Sequence, residues 1–349
     1  MNERSRIICG DCLDILKKTD SDTIDCCVTS PPYFNLRDYG ITGQVGLERT
    51  PGEYIYHLVT IFHEVKRVLK PDGTLWVVIG DSYAGSGKGA GNYPESSNGA
   101  LQKTNRGSMA ALSEYHSNTV KPRDLIGIPW ELAFALREDG WYLRQDIIWS
   151  KPNPMPESVK NRCTSAHEHI FLLSKSSNYY FDAEAIAEPV SFRTTQRLSQ
   201  DIGLQAGSVI RGGGYKSPMT PKSPRYKGKK YTDEPDKFYR TKSGEIYDYR
   251  AKRNKRDVWT ITTKAFKGAH FATFPPDLIE PCILAGSRPG GTVLDPFFGS
   301  GTTGLVAEAY GREYLGIEIN PDYIEIARKR LNQKGINNGN GNDNEELPS

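Results

Sequence analysis

Ser30, Pro31, Pro32 and Tyr33 stand together in CVTSPPYFNLRDYG, residues 27 to 40, directly behind a β-branched, cysteine-rich run. A plain turn needs one proline and a glycine; two prolines fix the backbone firmly in front of Tyr33, which indicates that something is held in place there. Far along the chain, TVLDPFFGSGTTGLVAEA reads as strand, glycine turn and helix, with Gly299 and Gly301 letting a ligand approach the backbone and Thr302 near the helix N-terminus. Alone, this pattern means only a nucleotide-like ligand. The next strand, EYLGIEIN, ends in Glu318, about seventeen residues past Gly301, where a carboxylate can accept hydrogen bonds from ribose hydroxyls. The missing third glycine and the late position in the chain argue against NAD. A Walker loop is absent too, because in GSGKGAG the residue after Lys88 is Gly89 rather than Ser or Thr.

Other chemistry-bearing residues read as structural. Cys9 and Cys12 have the spacing of a zinc knuckle, but Cys26 and Cys27 are adjacent and lie in a strand pattern, where thiols behave as small hydrophobes. His167 and His169 alternate into a strand in AHEHIFLLSK and have no third ligand nearby, so no metal is expected.

The elements that must position these residues follow α/β periodicity. From Arg6 to Asp81 the pattern is strand, helix, strand, loop, helix, strand. Ile55, Leu58, Val59, Phe62, Val65 and Leu69 recur at helical spacing, and the Pro71-Asp72-Gly73 turn is expected to stop that helix before the strand TLWVVIG. Residues 82–121, rich in Gly, Ser and Asn, read as a long mobile loop, and PWELAFALREDGWYLRQDIIWSK as a further helix and strand. Regular pattern resumes near Thr273 and ends in the helix PDYIEIARKRLNQKG.

At 349 residues, one large α/β domain carrying an insertion is the natural reading. A hydrophobic fraction of 37%, with no long apolar run and no signal-peptide pattern, excludes a membrane protein and points to the cytoplasm with reduced thiols. The net charge is only +3, so any sign of an acidic partner must be local. Between Arg211 and Arg256, fifteen Lys and Arg stand against five Asp and Glu, with six tyrosines interleaved. Low hydrophobicity here fits a linker, but aromatics among cations are what a phosphate-contacting, base-stacking surface needs.

VTSPPY at residues 28–33 and LDPFFGSGTT at 294–303 resemble the catalytic and S-adenosylmethionine motifs of the exocyclic-amine DNA methyltransferases. Their order, catalytic motif, basic insert, then cofactor motif, resembles the beta group of that family. CGDCLDIL, PDGTLWVVIGD, GWYLRQDIIWSKPNPMPES, HEHIFLLSK and HFATFPPDLIEPCI extend the resemblance over much of residues 7–331. It implies an α/β fold of the class I S-adenosylmethionine-dependent type: Rossmann-like, permuted, mostly parallel, with an inserted DNA target-recognition region. The expected parts are a catalytic part at 1–191, a basic, Tyr-rich insert at 192–262, a cofactor-binding part at 263–334 and a disordered tail at 335–349.

With this resemblance the two prolines acquire a purpose. The lone pair of an exocyclic amine is delocalised into the base, so the nitrogen is a poor nucleophile until acceptors hold its two N–H groups. The Ser30 hydroxyl and a main-chain carbonyl, that of Pro31, would be those acceptors; Pro31 and Pro32 hold the carbonyl at a fixed angle and Tyr33 offers a face for an extruded base. The methyl group then transfers in line with no covalent enzyme intermediate. Cytosine C5 enzymes need a cysteine nucleophile after a proline; Cys282 follows Pro281, but in an apolar helix pattern ahead of the cofactor glycines, so it reads as core. Ser at the first motif position is typical of cytosine-N4 enzymes, Asp or Asn of adenine-N6 enzymes, so N4-cytosine is preferred and N6-adenine kept as the alternative.

Carried over by position, Asp11 would contact the cofactor's adenine and Glu318 its ribose. Asp295, Phe297, Gly299, Ser300, Gly301 and Thr302 would line its methionine and sugar portion, and Phe274 would pack on it. Asp11 reads equally as a helix N-cap, and both roles are compatible. Arg37 and Asp38 read either as a surface ion pair or as a lid over the base. Arg37, Lys227, Lys229, Lys230, Arg253 and Arg256 are the candidates for contacting double-stranded DNA. A cognate restriction endonuclease is an allowed partner, monomer and homodimer are both open, and RNA or protein amines are the more distant substrates.

Overall fold

The computed structural model describes residues 5–84, 120–121, 123–189, 239–240, 246–247, 252–263 and 274–337. The chain divides into two compact units, residues 1–185 with 257–349, and residues 186–256. The expected loop from 82 to 121 and the expected tail at 335–349 lie mostly outside the described residues, as do Lys227, Lys229 and Lys230.

The larger unit is built on one eight-stranded sheet. Its strands are β1 (Arg6–Cys9), β2 (Ile24–Thr29), β3 (Leu69–Ile79), β4 (Tyr142–Ser150), β5 (His167–Ser174), β10 (Val258–Thr260), β11 (Thr292–Asp295) and β12 (Glu313–Glu318). They lie in the order β1-β12-β11-β2-β3-β5-β4-β10. Pairing is parallel from β1 to β3 and between β4 and β10; β5 runs antiparallel to both of its neighbours. β2 is buried along its whole length, as a central parallel strand covered on both faces must be.

Helices α1 (Cys12–Lys17), α2 (Pro51–Val68), α3 (Ile128–Glu138), α4 (Pro276–Gly286), α5 (Thr302–Ala309) and α6 (Pro321–Asn337) accompany the sheet. α2 starts where Thr50 accepts the Glu53 N–H and Pro51 opens the first turn. Its apolar face, Tyr54, Leu58, Phe62 and Val65, is fully buried in the main core. Truncating Phe62 to alanine would cost about 3–5 kcal/mol. The Pro71-Asp72-Gly73 turn does not stand outside the strand as expected. β3 begins at Leu69 immediately after α2, and the register against β2 slips between Ile24↔Leu69 and Cys26↔Thr74, so the turn residues form a bulge in the strand.

Two functional segments meet through the strand order. β11 passes through α5 to β12 on one side, while β2 passes through α2 to β3 on the other, so the strand order reverses between the parallel neighbours β11 and β2. Ligands of open α/β sheets bind outside the carboxyl ends of the strands at such a reversal. The glycine turn follows β11 there and the Ser30 segment follows β2.

The smaller unit pairs β6 (Glu188–Pro189) with β9 (Lys252–Arg253), and β7 (Tyr239–Arg240) with β8 (Ile246–Tyr247), both antiparallel. Residues 258–260, assigned to the insert by the sequence reading, form β10 in the main sheet.

Candidate functional site

A cleft lies at the carboxyl end of the sheet, with about 630 Å³ of empty space when the part open to solvent is included. Asp11, Ser30, Pro32, Phe297 and Glu318 line it. Residues 292–309 and 24–34 therefore place their chemistry in one cavity, although 266 positions separate the pair that joins them: Thr29 Oγ1 donates to Asp295 Oδ1 at 2.6 Å.

The first wall is Pro296, Phe297 and Glu318, at the glycine turn whose own Gly299 and Gly301 are not among the lining residues. Gly301 caps α5 with φ +80°, and a Cβ there would stand 2.9 Å from that of Ala327. Only glycine meets both conditions without strain. The Gly299 N–H donates to Glu318 Oε2 at 2.7 Å and the Asn320 N–H to Oε1 at 2.8 Å. Burial raises the Glu318 pKa, and these backbone donors oppose the rise. A carboxylate has about four lone-pair sites, so one donor per oxygen leaves acceptor capacity for ligand hydroxyls.

Three of the expected cofactor residues, Asp295, Ser300 and Thr302, serve this wall from behind. Asp295 is fully buried and accepts from Thr29, from Thr303 Oγ1 at 2.6 Å and from the Phe297 N–H at 3.1 Å. Burial pushes its pKa up to about 6 in spite of those donors. Ser300 and Thr302 are buried beneath the turn, where Arg330 of α6 donates to the Ser300 carbonyl and hydroxyl at 2.7 and 2.6 Å and to the Thr302 hydroxyl at 3.3 Å. Phe274, half-buried just ahead of α4, is not among the residues lining the cleft.

The second wall is the start of α1. Asp11 is its N-cap, with Oδ1 accepting the Asp14 N–H at 3.0 Å, and it also faces the cleft. The third is the loop after Tyr33, which contributes Tyr39, Gln44 and Val45 and is tied by Gln44 to the Tyr39 N–H and the Arg37 carbonyl. Arg37 itself is half-buried and Asp38 accepts the Gly40 N–H in a local turn. Tyr39 meets Tyr323 of α6 edge-on at 6.0 Å across the cleft lining. Tyr39, Asn320 and Tyr323 were not among the sequence candidates, because no short motif marks them.

The fourth wall is the Ser30 segment. Ser30 is half-exposed, Pro31 is buried, and the Tyr54 hydroxyl donates to the Pro32 carbonyl at 2.8 Å. That bond engages the Pro32 carbonyl in structure. Tyr33 is packed against Gly80, where a Cβ would approach its Cε2 to 2.7 Å, and its hydroxyl donates to Glu168 at 2.7 Å. Burial first, then the Glu168 charge, raises the Tyr33 pKa well above the ordinary phenol range.

The remaining candidates have structural surroundings. Cys12 and Cys26 are buried, and burial pushes each thiol up to about 12. Cys282 is buried in α4 with its sulfur 3.7 Å from the Leu278 carbonyl. His169 is a core residue, 2.9 Å from Asp146 and stacked on Phe171. In the smaller unit, Arg253 and Arg256 both bond Glu188, at 3.4 and 3.0 Å.

A family model described as DNA methylase, of the N6/N4 methyltransferases, matches residues 24–329. The type II methyltransferase M.Cfr9I of Citrobacter freundii is 45% identical over 328 residues, which cover 94% of this chain and 88% of the relative. M.SmaI of Serratia marcescens is 43% identical over 326 residues, covering 93% and 90%. Among solved structures, the PvuII DNA methyltransferase, described as cytosine-N4-specific, aligns with a TM-score of 0.56 at 19% identity over 94% of this chain and 86% of its own. A putative DNA modification methylase of Thermus thermophilus, solved in complex with S-adenosyl-L-methionine, aligns at 0.54 and 20% identity, over 95% and 94%. The fold is that of the class I S-adenosylmethionine-dependent methyltransferases, and the chain belongs to the DNA methylase family of N6/N4 methyltransferases.

Proposed function

We propose that this protein methylates the exocyclic N4 amine of cytosine in duplex DNA at a specific sequence, acting on a base turned out of the helix. The observation that carries the reading is the Thr29–Asp295 bond, which joins the root of the Ser30 segment to the root of the glycine turn. It fixes the distance between amine acceptors and cofactor wall, and positioning supplies most of the acceleration in such a transfer.

The cleft suits S-adenosyl-L-methionine. Asp11 keeps one carboxylate oxygen beyond its capping bond for the adenine, Glu318 has acceptor capacity for ribose hydroxyls, and Phe297 and Tyr39 supply apolar walls. Bound there, the cofactor supplies an electrophilic methyl group. The chain's own residues prepare the amine: the Ser30 hydroxyl and the Pro31 carbonyl accept its two N–H groups and draw the nitrogen out of conjugation. With Pro32 engaged by Tyr54, Pro31 is the proline carbonyl assigned to this role.

Cytosine is favoured over adenine by residue 30. A hydroxyl both accepts and donates, and cytosine N3 beside the amine can take the donated bond. Adenine N1 offers a similar acceptor, so N6-adenine is the alternative within the same chemistry. The basic smaller unit is the proposed target-recognition region, with Arg253 and Arg256 as phosphate contacts that exchange Glu188 for DNA. The type II names of the relatives fit a cognate endonuclease as a companion.

Incubation with methyl-labelled S-adenosylmethionine and, in parallel, duplex DNA, RNA and protein tests the substrate class. Label in duplex DNA alone is expected; label confined to RNA or protein overturns the reading.

A further inference from the structure

The chain between β4 and β5, residues 151–166, belongs to the same end of the sheet as the cleft. Ser150 pairs with His167 where this loop leaves and re-enters the sheet, and His169 pairs with Ile79, the last residue of β3. Val77 of β3 in turn pairs with Thr29, which stands directly before Ser30. Register alone therefore puts the root of the loop beside the Ser30 segment. Side chains make the same connection: Glu168 accepts the Tyr33 hydroxyl at 2.7 Å and is ion-paired with Lys151, the first residue of the loop.

The loop is braced rather than slack. Asn153 exchanges two hydrogen bonds with the Thr263 backbone, at 3.1 and 3.0 Å. Glu157 accepts from Arg162 at 2.5 Å, and the Arg162 guanidinium lies 4.0 Å from the centre of the Tyr83 ring. Within this frame Met155 is 84% exposed, more than any other large apolar side chain among the described residues. Single exposed apolar side chains are ordinary on protein surfaces. This one differs in its setting. Pro154 and Pro156 restrict the backbone on both sides of it. It stands four positions from Lys151, a reach of at most about 14 Å. A large apolar group is thus held in solvent a short way from Tyr33.

A base turned out of a duplex leaves a gap in the stack, and the stack closes again unless something fills it. Water fills it poorly, because the faces of the gap are aromatic rings; an unbranched thioether is apolar, polarizable and adaptable in shape. Proteins that unstack DNA insert such side chains, methionine among them, between bases. We propose that Met155 is the wedge of this enzyme: it enters the stack of duplex DNA where the target base has left and so keeps that base beside Ser30. The inference rests on reading the protein as one that acts on an extruded base in duplex DNA.

Kinetics of wild type, Met155→Ala and Met155→Leu test it on short duplexes carrying the site that the wild type methylates, mapped beforehand on genomic DNA. Two duplexes are compared, one with the target base paired and one with it opposite an abasic position, where no pair has to be broken. On the paired duplex Met155→Ala is expected to lower kcat/KM about tenfold, a part of the unstacking cost. On the abasic duplex the loss should shrink to about twofold or less, because extrusion there needs less help. Met155→Leu keeps an apolar wedge and should stay within about threefold of wild type on both. Cofactor affinity by calorimetry and the melting temperature should match wild type, since the side chain is exposed. Wild-type activity of Met155→Ala on the paired duplex overturns the proposal. So does an equal loss on both duplexes, which makes Met155 a simple contact, or a loss that runs in parallel with cofactor affinity. A wild-type protein that methylates no duplex DNA overturns the reading of the site and this inference with it, and is told apart because the unmodified protein fails.

Discussion

At the scale of single residues, the structure separates groups that face the cleft from groups that hold those groups. Ser30 faces it, so Ser30→Ala is expected to lower kcat about 100-fold, comparable to losing one transition-state hydrogen bond in other enzymes, with cofactor affinity retained. Titration calorimetry beside a turnover assay checks both halves. Asp295 is a holding residue, and its pKa has a consequence for stability. Folding raises it from 3.8 to about 6, so between those pH values the folded protein binds a proton that the unfolded chain has lost. Stability from this group is therefore full below about pH 4, falls as pH rises to 6 and is flat above, a change of about 3 kcal/mol. Urea denaturation at pH 4.5 and 7 should show a smaller difference between the two pH values in Asp295→Asn than in wild type. The residue types of Ser30 and Glu318 were legible because short motifs carry them. The Tyr33–Glu168 bond was not, because partners 135 positions apart share no local spacing.

At the scale of elements, hydrophobic periodicity was enough to read α2, α3, β4 and β5, since each has one continuous pattern and clear end signals. It failed where tertiary context decides. The three residues of β10 are too few for an alternation to register, and they look like part of the basic insert until they pair with β4. The Pro71-Asp72-Gly73 turn looks like a loop until β2 shows it to be a bulge. The reversal of strand order between β11 and β2 is likewise invisible in sequence, where these strands stand at opposite ends of the chain. The glycine turn was legible as a turn between strand and helix, but the close approach that requires Gly301 is to Ala327 of α6. Gly301→Val is accordingly expected to abolish measurable S-adenosylmethionine binding by displacing the turn, and to lower the melting temperature as well. A variant that binds cofactor like wild type would place the turn outside the site.

At the scale of the whole molecule, charge is distributed unevenly: a chain with a net charge of +3 carries an excess of ten positive charges between Arg211 and Arg256. Among the described residues, no helix is long and apolar enough to cross a membrane. If this segment meets phosphates, DNA affinity should fall steeply with salt, the slope of log K against log salt being about −4 or steeper. Fluorescence anisotropy between about 50 and 200 mM salt measures it, and a flat response would remove the segment from the DNA-binding surface. The central claim concerns the product. Wild-type protein should be incubated with S-adenosylmethionine and unmethylated genomic DNA, the DNA digested to nucleosides, and the methylated nucleoside identified by mass spectrometry. N4-methylcytosine is the predicted product; N6-methyladenine, or no methylated nucleoside while the cofactor still binds, would contradict it.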